Sequence, residues 1–149
     1  MTDTIINIAI GCDHAGLKMK EFIKQRLNQM GCVVQDFGAF SENSMDYPDS
    51  AHPLSREVQI GTYKFGILIC GSGNGMAMVA NKYKGIRAAL CWNETTTLLA
   101  RKHNDANILA LPARFITQEE AADLSILFVT TEFEGGRHVC RVKKIDETM

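Results

Sequence analysis

Apolar and polar positions alternate along this chain in two rhythms. Short, nearly continuous apolar runs, INIAIG, CVVQDFG, FGILIC, IRAALCW and ANILALP, read as five strands. Between them lie longer stretches whose apolar residues recur three or four positions apart, as on one buried face of a helix. GLKMKEFIKQRLNQMG is the first such stretch, closed by Gly31 in the position of a C-terminal cap. The polar, proline-marked loop SENSMDYPD precedes a helix expected around Ala51 to Ile60. A third helix is expected from Asn74 to the Lys84–Gly85 break, and ETTTLLARKH forms a fourth. TQEEAADLSILFVTT is a long fifth helix, with Thr117 and Glu120 spaced as a capping box. The basic tail GGRHVCRVKKID is expected to be helical as well.

Strict alternation of strand and helix predicts an α/β fold: a parallel sheet with helices on both faces, in three layers. For five strands the usual order is 2-1-3-4-5, with FGILIC central because it is the most apolar run. Ligands in such sheets bind beyond the carboxyl ends of the strands, where the chain's winding reverses. Here that crevice lies between the first and third strands, so the turns GCDHAG and CGSGNG converge on it.

Composition narrows the possibilities. A chain of 149 residues has the length of one domain, and residues 1–149 are read as a single unit. A net charge of -1 offers no electrostatic reason to expect nucleic acid or a membrane surface as partner. The amino-terminal MTDTIINIAI lacks the basic flank and long apolar core of a signal peptide. Five cysteines without close pairing suit a reducing compartment, so a cytoplasmic location is expected.

The glycine turn after Cys70 carries the chemistry. It lacks the Gly-Lys-Ser/Thr ending of a P-loop, and its Gly-x-Gly-x-Gly spacing after the third strand is not a dinucleotide fingerprint. A cysteine-dependent phosphatase would need arginine six positions after its nucleophile; Met76 follows Cys70 at that distance and Lys18 follows Cys12. What remains is a row of backbone N–H groups at the start of a helix, suited to hold an anion. The same positive end favours a reactive thiolate. A thiolate beside such a loop is equipped to abstract a proton next to a carbonyl, the loop receiving the oxyanion. Equally, an unpaired cysteine in a strand is commonly a small buried hydrophobe. Both readings of Cys70 stand on the turn alone.

The motifs GCDHAG, DYPD, CGSGNGM, ANK, RAALC, HNDAN and GGRH occur together and in this order from Gly11 to His138. In this the chain resembles the ribose-5-phosphate isomerase B family, which includes galactose-6-phosphate and allose-6-phosphate isomerases. The resemblance implies a Rossmann-like homodimer, without cofactor or metal, that interconverts ribose 5-phosphate and ribulose 5-phosphate through a cis-enediolate. That reaction belongs to the non-oxidative pentose phosphate pathway. By position, Cys70 matches the cysteine that moves the proton between C1 and C2. Met76 stands where another branch has a glutamate, and methionine takes no proton. Gly71, Gly73, Asn74 and Gly75 match the loop whose amides hold the enediolate oxygens, and Ser72 a hydroxyl that shuttles protons between O1 and O2. His103 matches the group that assists furanose opening, with Asn104 beside it on the substrate. Asp13, His14 and Tyr47 match sugar contacts; Arg114, Arg137 and Arg141 match the phosphate clamp. Pro112 occupies a position where glycine is common. Alternatives are a six-carbon sugar phosphate as substrate, or a phospho-sugar-binding regulator that has lost the chemistry.

Physical chemistry adds to several of these roles. Sugar phosphates are mostly cyclic, so their isomerases need a ring-opening group that titrates near working pH, which suits histidine. Arg137 and Arg141, four apart, share one helix face and can grip one phosphate, unless they and Lys143 and Lys144 form a solvated basic tail. His103 ends a helix that runs back from the fourth strand, which sets it at the opposite edge of the sheet from Cys70. If both act on one substrate, His103 and Asn104 come from a second copy, in a homodimer that could pair into a tetramer. Cys12, Cys32, Cys91 and Cys140 read as packing residues, His52 as solvent-facing, and His138 as a further phosphate candidate. Asp13, His14 and His103 lack metal-site spacing, so no metal is expected.

Overall fold

The computed structural model describes residues 4–147; the extreme ends of the predicted single domain, residues 1–3 and 148–149, lie outside it. The chain runs β1 (Asn7–Cys12), a 3-10 turn (His14–Gly16), α1 (Leu17–Gln29), β2 (Val33–Asp36), α2 (Pro48–Gln59) and β3 (Phe65–Cys70). It continues through α3 (Asn74–Ala80), β4 (Ala88–Leu90), α4 (Glu94–Lys102), β5 (Ile108–Pro112), α5 (Gln118–Thr130) and α6 (His138–Lys144). Gly31 follows α1 at φ +86°, and the Thr117–Glu120 capping box opens α5.

All four strand pairings are parallel, and the order is β2-β1-β3-β5-β4. The expected order 2-1-3-4-5 is therefore corrected: β5, not β4, lies beside β3. The reason is burial. Every residue of β5 is buried, whereas β4 is three residues long and only half-buried, as an edge strand should be. ILALP is as continuous an apolar run as FGILIC, and that was the signal for a second central strand.

The exchange decides which face carries α4. With right-handed crossovers, the direction of each step along the sheet sets the face of its helix. The steps β2 to β3 and β3 to β4 run one way, and α2 packs on α3. The steps β1 to β2 and β4 to β5 run the other way, and α1 and α4 both pack on α5. Side chains split accordingly. Ile8, Ile10, Phe65, Ile67, Ile69, Leu109 and Leu111 join the core under α1, α4 and α5. Ala9, Leu68, Cys70, Ile108 and Ala110 join the core under α2 and α3.

Two helix boundaries differ from expectation. α2 begins at Pro48, because proline fits the first helical position, where no N–H is needed. α3 ends at Ala80, short of Lys84. Asn81 stops it by pairing with the edge strand: its Nδ2 donates to the Ala88 carbonyl (3.0 Å), and its Oδ1 accepts from the Ala88 N–H (2.8 Å).

Candidate active site

The carboxyl ends of β1, β3 and β5 are adjacent, and the chain leaves them toward different faces. Their loops are tied together by backbone hydrogen bonds. Asp13 N–H donates to Ile69 O (3.1 Å), Ala113 N–H to Cys70 O (2.9 Å) and Arg114 N–H to Gly71 O (3.0 Å). Pro112 faces Cys70 at the end of the ladder, where its missing N–H costs no sheet bond. A cavity of ≈ 350 Å³ opens between these loops, lined by Asp13, His14, Tyr47, Cys70, Gly71, Ser72, Gly75, Arg114 and Phe115.

Cys70 sits at the floor, 5% exposed. The Gly73 N–H donates to its Sγ at 3.2 Å, so the sulfur is turned toward the loop amides. Gly73 lies at φ +78°, the left-handed region, which is what lets that amide face back toward the strand. A side chain on Gly75 would come within 2.5 Å of the Tyr47 ring, so the bare backbone lets the ring close over the helix start. Ser72 Oγ accepts from the Asn74 N–H (3.2 Å). Across the cavity, Asp13 Oδ1 accepts from the Ala15 N–H (2.9 Å), and His14 Nδ1 accepts from the Met45 N–H (3.2 Å), its Nε2 having no hydrogen-bond partner among the described residues. The Arg114 guanidinium lies against Gly71, its Nη1 3.0 Å from where a Cβ there would stand.

His103, Asn104, Arg137 and Arg141 do not line this cavity. α4 is nine residues long, about 14 Å at ~1.5 Å per residue, and carries His103 back toward the amino edge of the sheet. There His103 stacks on His138 with ring centroids 4.2 Å apart, while Arg137 caps α6 and Arg141 lies one turn along it. Burial, together with the charges of His103, Arg137 and Arg141, holds the His138 imidazole below its ordinary range against the opposite pull of Glu134. Asn104 lines a separate cavity of ≈ 400 Å³ with Asn81, Arg87 and Asp146.

A family model described as "Ribose/Galactose Isomerase" matches residues 8–145. The chain belongs to the ribose/galactose isomerase family. It is 45% identical over 139 residues to a protein of Mycoplasma pneumoniae named probable ribose-5-phosphate isomerase B, covering 93% of this chain and 91% of that one. Among solved structures it is similar to a ribose 5-phosphate isomerase of Thermotoga maritima, with a TM-score of 0.93 and 48% identity over 96% of this chain and 99% of that one. It is also similar to ribose-5-phosphate isomerase B of Mycoplasma genitalium, solved with bound ribulose-5-phosphate, with a TM-score of 0.91 and 41% identity over 96% and 95% of the two chains.

Within this isomerase family frame, three features escaped the sequence patterns. Phe115, 74% exposed, walls the Cys70 cavity and also a neighbouring apolar one of ≈ 400 Å³ with Leu90, Trp92 and Ile116. A bulky apolar residue directly after Arg114 was the available signal. Lys20, completely buried, donates to Asp36 Oδ1 (2.9 Å) and to the Ala39 carbonyl. Ala39 in turn pairs with the backbone of Cys12, next to Asp13. Glu134 stands beside His103 and His138. Cys12 is packed as expected, and burial, partly offset by Lys20, pushes its thiol up to about 11. Cys140 corrects the expectation of packing, because it is exposed on α6. His52 is also corrected: it is half-buried and shares a hydrogen bond with the Tyr83 hydroxyl.

Proposed function

We propose that the protein is an aldose–ketose isomerase that interconverts ribose 5-phosphate and ribulose 5-phosphate. The observation that carries this is Cys70 Sγ facing a loop amide at 3.2 Å on the wall of a cavity that also holds Arg114. The cavity falls at the small end of the ~300–1,000 Å³ range of ligand sites, in keeping with a short phosphorylated sugar. The names of the relatives and the ribulose-5-phosphate held by the Mycoplasma genitalium neighbour support the same substrate.

In this reading the Cys70 thiolate takes the C2 proton of the open-chain aldose. The electron pair moves through the new C1–C2 double bond onto O1, where the amides of Gly71 to Gly75 receive the charge. Ser72 passes the O2 proton to O1, and the sulfur returns its proton to C1, which yields the ketose. Asp13, His14 and Tyr47 hold the sugar hydroxyls, and Arg114 grips phosphate. His103, Asn104, Arg137 and Arg141 enter from a second copy of the chain, because α4 carries His103 and Asn104 to the far edge of their own sheet and α6, whose His138 stacks on His103, keeps both arginines beside them. The working unit is therefore a homodimer, in the cytoplasm. No helix among the described residues is long and apolar enough to cross a membrane.

A turnover panel of five- and six-carbon aldose phosphates tests the substrate. Ribose 5-phosphate should be preferred and Cys70→Ala should abolish its conversion; a six-carbon preference would overturn the assignment. Tight binding without deuterium exchange at C2 would favour a regulator. Mixed Cys70→Ala and His103→Ala subunits should regain activity in hybrids, and no recovery despite subunit exchange would sink the shared site.

A further inference from the structure

The turn after α4, the loop before α6 and the first residue of α6 gather three metal-ligating side chains outside the Cys70 cavity. One donor atom from each of His103, Glu134 and His138 lies within 4.8 Å of the others. The two imidazoles are nearly parallel, 15° apart, and His138 Nε2 is 3.8 Å from Glu134 Oε2. The cluster is held by one backbone bond and one buried side chain. The Glu134 N–H donates to Lys102 O (3.1 Å). Buried Arg101 bridges the two segments, donating to Thr131 O (3.0 Å) on one side and to Asp105 Oδ1 (2.9 Å) and Ala106 O (2.6 Å) on the other. His138 is buried, His103 half-buried and Glu134 exposed, so the carboxylate is the arm free to move.

Two imidazoles and one carboxylate form the donor set of three-ligand zinc sites, with a fourth position open. Metal–ligand bonds of ~2.0–2.1 Å in tetrahedral geometry set donors about 3.3 Å apart. Donors up to 4.8 Å apart must close by about 1.5 Å to reach that spacing, and one of the stacked rings must turn so that both lone pairs meet at the ion, a rotamer adjustment of Glu134 and His103. Arg137 and Arg141 flank His138 and oppose a cation, which makes binding reversible rather than structural.

We propose that His103, Glu134 and His138 bind a divalent ion of the zinc class, and that occupancy inhibits the enzyme by withdrawing His103. The inhibitory role rests on the isomerase reading; the binding site does not.

Equilibrium dialysis of the full chain with Zn2+, in a Cys70→Ala/Cys140→Ser background that removes competing thiols, tests the site directly. One ion per chain is expected, with affinity weakened about tenfold or more by Glu134→Gln and by His138→Ala. Co2+ in that background should give tetrahedral ligand-field bands. In the native chain, Zn2+ should suppress turnover reversibly by chelator, and Glu134→Gln should raise the concentration that halves its own turnover about tenfold. Absence of stoichiometric Zn2+, or affinity unmoved by Glu134→Gln, an exposed position that leaves folding intact, would overturn the site. Zinc bound with turnover undiminished would overturn only the inhibitory role, and an inactive native chain would leave the dialysis result to decide the site.

Discussion

The Cys70 loop and the His103 turn lie at opposite edges of the sheet and are built in opposite ways. The first is backbone: strand ends, glycines and carbonyl–amide bonds that cross between β1, β3 and β5. The second is side chains. Arg101, 4% exposed, lies over the rings of Phe65 and Phe128 and holds Asp105, which takes the left-handed φ of +48° directly after His103 and Asn104. A backbone-built site presents donors that need no rearrangement during reaction, as an oxyanion demands. A site carried on long side chains can offer reach and titratable groups, which suit ring opening and phosphate capture.

Separate substitutions should pull the two regions apart. The largest effect is expected at Cys70→Ala, about 10³-fold or more in kcat, with loss of both ribose 5-phosphate turnover and solvent deuterium exchange at C1 of ribulose 5-phosphate. His103→Ala should lose about 10²-fold in turnover of the cyclic aldose yet keep the C1 exchange, because the ketose needs no ring opened. Equal loss of both signals would collapse the distinction between the regions.

Next comes Arg101→Met, expected to cost about 3 kcal/mol in denaturant unfolding, since it strips buried carbonyls and Asp105 of a charged donor. An unchanged midpoint would show that the His103 turn is not held this way. Smaller still, Gly71→Ala should raise KM about tenfold with less effect on kcat, by pushing Arg114 off the phosphate position.

The smallest effect concerns pH. Burial raises the Asp36 carboxyl, but hydrogen bonds from Lys20, Lys24 and the Gly38 N–H prevail and hold it below its ordinary value. Its contribution to stability is therefore complete above the unfolded value of about 3.9 and is lost as pH falls through the folded one. Asp36→Asn should flatten that part of the acid-unfolding curve; an unaltered curve would remove Asp36 from the account.

Much of this was legible in residue order. The apolar runs located every strand of the sheet, the glycine spacing located the turn whose amide faces Cys70, and the seven motifs from Gly11 to His138 pointed to the family. Less legible was anything set by which elements become neighbours. The place of β5 beside β3 turns on relative burial, and the early end of α3 on one asparagine's pairing with an edge strand. Glu134 precedes His138 by four residues, but that spacing alone gives no signal of His103, which packing brings to the pair.

By itself the sequence determined the local chemistry: strand and helix periods, left-handed glycines, and a thiol beside a run of amides, all fixed by near neighbours in the chain. Only the tertiary structure decided the place of β5 beside β3, the face that α4 takes, and the meeting of His103 with Glu134 and His138. Those depend on crossover direction and side-chain packing across the sheet, which join residues whose spacing in the chain says nothing of their distance in space.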